Sequence, residues 1–71
     1  MKYIVMDCKG GDVFTSEFDS MNDAIEEGKR QWDWLSDHDK ALRDSFYVLE
    51  SVNPDEESEN HFDGNVVWEA K

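Results

Sequence analysis

Between Ser20 and Leu35 the chain carries one apolar stripe at helical spacing, and everything else in the molecule has to pack against it. At about 100° per residue, Met21, Ala24, Ile25, Gly28, Trp32 and Leu35 share a side, while Asp23, Glu26, Glu27, Arg30 and Asp33 face away. Ser20 reads as the N-cap, because Asp23 three residues later completes a capping box that satisfies orphan backbone donors. A helix over Asn22 to Leu35 is about 21 Å long, close to a strand of about seven residues, so it can cover a small sheet from end to end.

A small sheet is what the length allows. Seventy-one residues make one domain, residues 1–71, and a chain of this size buries only about 60% of the surface that its unfolded form exposes. Every residue costs about 1.5 kcal/mol to order, so most of the four Phe, three Trp and two Tyr are expected in the core.

The strands follow from alternation and turn chemistry. Lys2 to Cys8 alternates, with Ile4, Met6 and Cys8 on one row and Tyr3, Val5 and Asp7 on the other. The glycines of Lys9–Gly10–Gly11–Asp12 turn the chain, and Val13 to Phe18 alternates again, which makes a hairpin. A three-residue loop of Gly10, Gly11 and Asp12 would pair Cys8 with Phe14 and Ile4 with Phe18, gathering one apolar face, and is the expected register. After the main helix, Ser36 with Asp39 caps a short second helix over Asp37 to Asp44. Ser45 to Val52 is the third strand by its aromatic and β-branched content. Its Tyr47, Leu49 and Ser51 row is expected inside, because the other row carries Glu50, whose burial without a partner is costly. Residues 53–63 hold the only proline and five acids and read as a loop with Phe62 as its one anchor. Asn65 to Ala70 returns as a fourth strand with Val66, Trp68 and Ala70 inward. The predicted fold is β-β-α-(α)-β-β: an α+β domain whose four-stranded, mostly antiparallel sheet has its helices on one face.

Eighteen acidic residues against seven basic ones leave a net charge of −11. Such a surface repels nucleic acid and anionic membranes as direct partners and attracts basic proteins. The apolar run from Tyr3 to Met6 is far shorter than a signal-peptide core or a membrane span, and Cys8 is the only cysteine, so a reducing cytoplasm is the expected setting.

No catalytic constellation is visible. Cys8 shares a row with Ile4 and Met6 and reads as a small hydrophobe, and His38 lies between Asp37 and Asp39 as a solvated imidazole. Neither enzyme activity nor a cofactor is expected. Asp55, Glu57 and Glu59 alternate like the first ligands of a calcium loop, but Asn60 stands where the turn glycine belongs and Val66 where the bidentate glutamate belongs, so no metal site is assigned.

Three features point to a partner instead. Trp34 lies opposite the core stripe, near Glu27 and Arg30. Either the second helix folds back so that Leu42 or Phe46 covers it while Arg30 stacks on the ring, or it is a contact anchor of the kind enriched in binding hot spots. Tyr3, Val5, Val13, Val48 and Val67 all fall on the rows assigned outward, which suggests a patch covered by a second copy, giving a homodimer, or by another protein. Finally Glu26, Glu27 and Asp33, with Asp23 and Asp37, form an acidic helix surface. It is either a solvated face that aids solubility or an imitation of a phosphate backbone that occupies a nucleic-acid-binding cleft. The expected function is a non-catalytic protein-interaction module, with a nucleic-acid-mimic inhibitor as the alternative.

Overall fold

The computed structural model describes residues 2–51 and 64–71. In chain order it contains β1 (Lys2–Lys9), β2 (Asp12–Phe18), α1 (Met21–Trp34), α2 (Asp37–Leu42), β3 (Ser45–Ser51) and β4 (Gly64–Glu69). The strands form one antiparallel sheet in the order β2-β1-β3-β4, with α1 packed across it. This is the predicted α+β architecture. The loop predicted over residues 53–63, with its Phe62 anchor and its acids, lies outside the described residues.

Both helix starts form where the local sequence places them. The Ser20 hydroxyl accepts the Asp23 N–H at 3.5 Å, and the Ser36 hydroxyl accepts the Asp39 N–H at 3.2 Å. Between them Leu35, expected within the helix, turns extended, its N–H bonded to the Trp32 carbonyl at 3.1 Å, and so ends α1 at Trp34. Neither helix is long and apolar enough to cross a membrane.

The first hairpin differs from expectation. Lys9 pairs with Asp12 and Cys8 with Val13, so the loop has two residues, Gly10 and Gly11. Their φ values of 55° and 93° are those of a primed turn, whose twist matches the strands it joins. The register places Glu17 opposite Ile4 and so mixes a charged with an apolar position, but β2 is an edge strand and Glu17 stays exposed. Turn geometry therefore outweighs row purity.

That register also reverses the two faces of the sheet. α1 lies over the rows Tyr3–Phe18, Val5–Ser16–Val48 and Asp7–Phe14–Phe46, where Val5, Ala24, Phe46 and Val48 form the buried core with Tyr3, Phe18, Ile25, Trp32 and Trp68 around it. Ile4, Met6 and Leu49, packed with Tyr47, form a second cluster on the opposite face. Tyr3, Val5, Val48 and Val67 are thus not an outward patch: Val5 and Val48 are fully buried, and Tyr3 and Val67 pack against them. On β3 it is the Phe46 and Val48 row that faces α1, and Tyr47, Leu49 and Ser51 face away. The objection to this choice was Glu50, and it fails because Glu50 sits at the end of its row beside Tyr3 and Asn65, only half-buried.

A bulge completes the correction in β4. Val48 pairs with Trp68 but Leu49 pairs with Val66, leaving Val67 as the extra residue. Val67 and Trp68 therefore both reach the α1 core, while Val66, expected inward, is exposed.

Helix and sheet meet closely at Gly28, which is buried. A Cβ there would lie 3.1 Å from the Trp68 ring and 3.2 Å from a Val48 methyl. Alanine in place of glycine gains about 1 kcal/mol of helix propensity, while overpacking costs about 1–3 kcal/mol. Val48 is stiff and fully buried. Gly28→Ala is expected to destabilise the protein by about 1 kcal/mol in urea unfolding, the reverse of an exposed helix site.

Candidate functional site

Trp32 and Trp34 stand two residues apart on α1, about 200° around its axis, and so point opposite ways. Trp32 faces the sheet with its ring centroid 5.3 Å from that of Phe46, and the Lys40 ammonium lies 5.5 Å from its centre. Trp34 is 83% exposed. The covering arrangement foreseen for it does not form: Leu42 is itself exposed, Phe46 is packed between Trp32 and Trp68, and the Arg30 guanidinium is paired with Glu27. The cation–π pair of this corner belongs to Lys40 and Trp32.

Beside Trp34 opens a cleft of about 340 Å³. Leu35 supplies the rest of its apolar surface, with the fully buried Phe46 beneath, and its polar lining consists of two internal ion pairs with Gln31. In one pair Arg30 holds Glu27, whose other oxygen accepts from the Gln31 amide at 3.3 Å. In the other, Arg43 Nε donates to Asp7 Oδ1 at 3.0 Å while its guanidinium also donates to the Asp39 carbonyl at 3.2 Å. Each acid in the cleft is thus neutralised from within. On the outer surface the balance differs, since Asp23, Glu26, Asp33 and Asp37 are exposed and make no ion pair among the described residues. The result is a charge-balanced, partly apolar cleft with an indole at its rim, set in an acidic surface.

The structure brings Trp34 and Glu27 together at this cleft and leaves Glu26 and Asp33 exposed on the same helix. It separates the other candidates. Tyr3 and Val5 pack beneath α1, and Val13 is exposed on β2 on the opposite face of the sheet, next to Cys8. The Asp7–Arg43 pair carries no sequence signal: it forms only because β1 and the end of α2 meet in space, 36 residues apart in the chain. The same meeting ties the first turn to the start of β3, where the Asp44 carboxylate accepts the Gly10 N–H at 2.9 Å and the Asp44 N–H donates to the Cys8 carbonyl at 2.8 Å.

Among the described residues no three His, Cys, Asp or Glu side chains are grouped to hold a metal ion. Cys8 is half-buried and His38 exposed. Two titratable groups among the described residues are displaced by their surroundings: the hydrogen bond from the Lys2 ammonium holds the exposed Asp19 carboxyl below its ordinary value, and burial first, with the nearby Cys8 charge second, pushes the Tyr47 phenol above its ordinary value. A phenol whose pKa is raised by folding contributes stability that is complete below about pH 10 and is lost as pH rises through the folded value. Unfolding free energies between pH 9 and 11 should therefore fall more steeply for the wild type than for Tyr47→Phe.

No known protein family matches this chain, and no curated protein or solved structure matches it either.

Proposed function

We propose that the protein is a non-catalytic, acidic protein-interaction module that binds a basic protein partner through the corner between α1 and α2, with Trp34 as the anchor. The observation that carries this reading is the 83% exposure of Trp34 at the rim of a cleft. A tryptophan left in water forgoes a large apolar burial, and indoles seated beside clefts are the side chains most enriched among binding hot spots. The surrounding acids, Glu26, Asp33 and Asp37, steer a basic surface toward it. A lone thiol at Cys8 suits a reducing compartment, the cytoplasm.

Self-association through the patch of Tyr3, Val5, Val13, Val48 and Val67 loses its support, because four of those residues face the α1 core. The nucleic-acid-mimic alternative draws on the exposed acids of α1, but Lys29 is exposed among them and Glu27 is engaged with Arg30 and Gln31.

A photo-reactive amino acid placed at position 34 should cross-link to one partner protein in a native lysate, while the same group at Val66, exposed on β4 on the sheet face away from α1, should not. The two readings part on salt and on the indole. Hot-spot binding should survive physiological salt and collapse in Trp34→Ala; backbone mimicry should be abolished by salt and be indifferent to Trp34.

A further inference from the structure

We infer a second docking surface, separate from the Trp34 corner: the outer edge of β2 at Val13 and Thr15, which accepts an extended basic segment of another protein as an added strand. Among the described residues the strand order leaves two edges, β2 and β4. β4 is interrupted by its bulge at Val67, whereas β2 keeps an unbroken register of seven pairs with β1. Of the usual blocks on an open edge it has no proline, no lysine and no bulge, and its only charges are the acids Asp12 and Glu17.

The Gly10–Gly11 turn determines which backbone groups that edge presents. Lys9 and Asp12 close a two-residue loop and therefore form a hydrogen-bonded pair, and such pairs recur at every second position. Asp12, Phe14, Ser16 and Phe18 thus exchange hydrogen bonds with β1, and the N–H and C=O groups of Val13 and Thr15 point away from the sheet. Side chains add to this template. Val13 is 54% exposed on one face and its neighbour Phe14 is 60% exposed on the other, so an arriving strand covers apolar surface on both faces at once.

Charge selects the occupant. β2 has no basic residue, Asp12 is exposed at its start, and the whole chain carries −11. A second copy pairing antiparallel about Thr15 would set Val13 against Glu17 and bring two such charges together. An extended segment that alternates Lys or Arg with apolar residues meets the same backbone groups, covers Val13 and Phe14, and is attracted instead of repelled.

The test uses three synthetic heptapeptides: one alternating Lys with Val, one with Glu in place of Lys, and the first one N-methylated at alternate residues. Amide exchange and chemical shifts of the isotope-labelled protein report the site. The Lys–Val peptide should shift the Val13 and Thr15 amides and slow their exchange, and the other two peptides should bind at least about tenfold more weakly, the loss expected from one or two hydrogen bonds or from reversed charge. Thr15→Pro should abolish binding, since its N–H faces away from β1 and the fold is spared, whereas Trp34→Ala should leave it unchanged. The inference is overturned if those amides do not respond, if the N-methylated peptide binds equally, or if Trp34→Ala removes binding. It is equally overturned if light scattering shows that a second copy already occupies the edge.

Discussion

Phe46→Ala is expected to abolish cooperative folding near body temperature. Among the described residues Phe46 is the largest fully buried side chain, with its ring 5.3 Å from Trp32 and 6.2 Å from Trp68, edge-on to the latter at 88°. From β3 it therefore touches both α1 and β4. Truncating a buried phenylalanine costs about 3–5 kcal/mol, and domains this short hold little more than about 5 kcal/mol in total. At about 4–8 °C per kcal/mol for a domain of this size, the melting temperature should fall by at least about 12 °C. Phe14→Ala is the matched control: the same truncation at a side chain that is 60% exposed should shift stability by no more than about 0.5 kcal/mol. Thermal circular dichroism of the two variants side by side checks both values.

Arg43→Ala is expected to cost about 2–3 kcal/mol, an unusual penalty for an arginine. Its side chain is only 13% exposed and that of its partner Asp7 only 17%, so removing the guanidinium leaves a carboxylate with little access to water. The Asp39 carbonyl loses a donor at the same moment, and the end of α2 loses its tie to β1. Replacing the pair together, as Asp7→Leu with Arg43→Met, should recover most of the loss, because an apolar pair of similar volume has no charge to desolvate. Urea unfolding of the two single variants and the double variant closes the cycle. Additive losses would mean that the ion pair contributes nothing of its own.

What the chain discloses and what it conceals divide along the same physical line. Helix caps are local, so Ser20 with Asp23 and Ser36 with Asp39 place both helix starts directly, and the opposite bearing of Trp32 and Trp34 follows from helical geometry alone. The faces of the sheet are not local. Tyr3, Ile4, Val5 and Met6 are apolar on both rows, as suits a central strand, so alternation in β1 cannot say which row meets α1. That choice depends on the parity of the Gly10–Gly11 turn and on the bulge at Val67, and each inverts the side-chain pattern by one residue. The cleft is less legible still, because its walls come from β1, α1, β3 and the end of α2, and its internal ion pairs look in the sequence like ordinary surface charge.

The proposed function requires that Trp34 be exposed for contact and not for stability. Its most direct test is the affinity of the partner found by cross-linking for the wild type and for Trp34→Ala, measured at physiological salt beside the thermal unfolding of both. The expected result is an affinity loss of about 30-fold or more, the size of a hot-spot residue, with a melting temperature unchanged within about 2 °C. Equal affinity in the two proteins, or a loss of stability as large as the loss of binding, would contradict it.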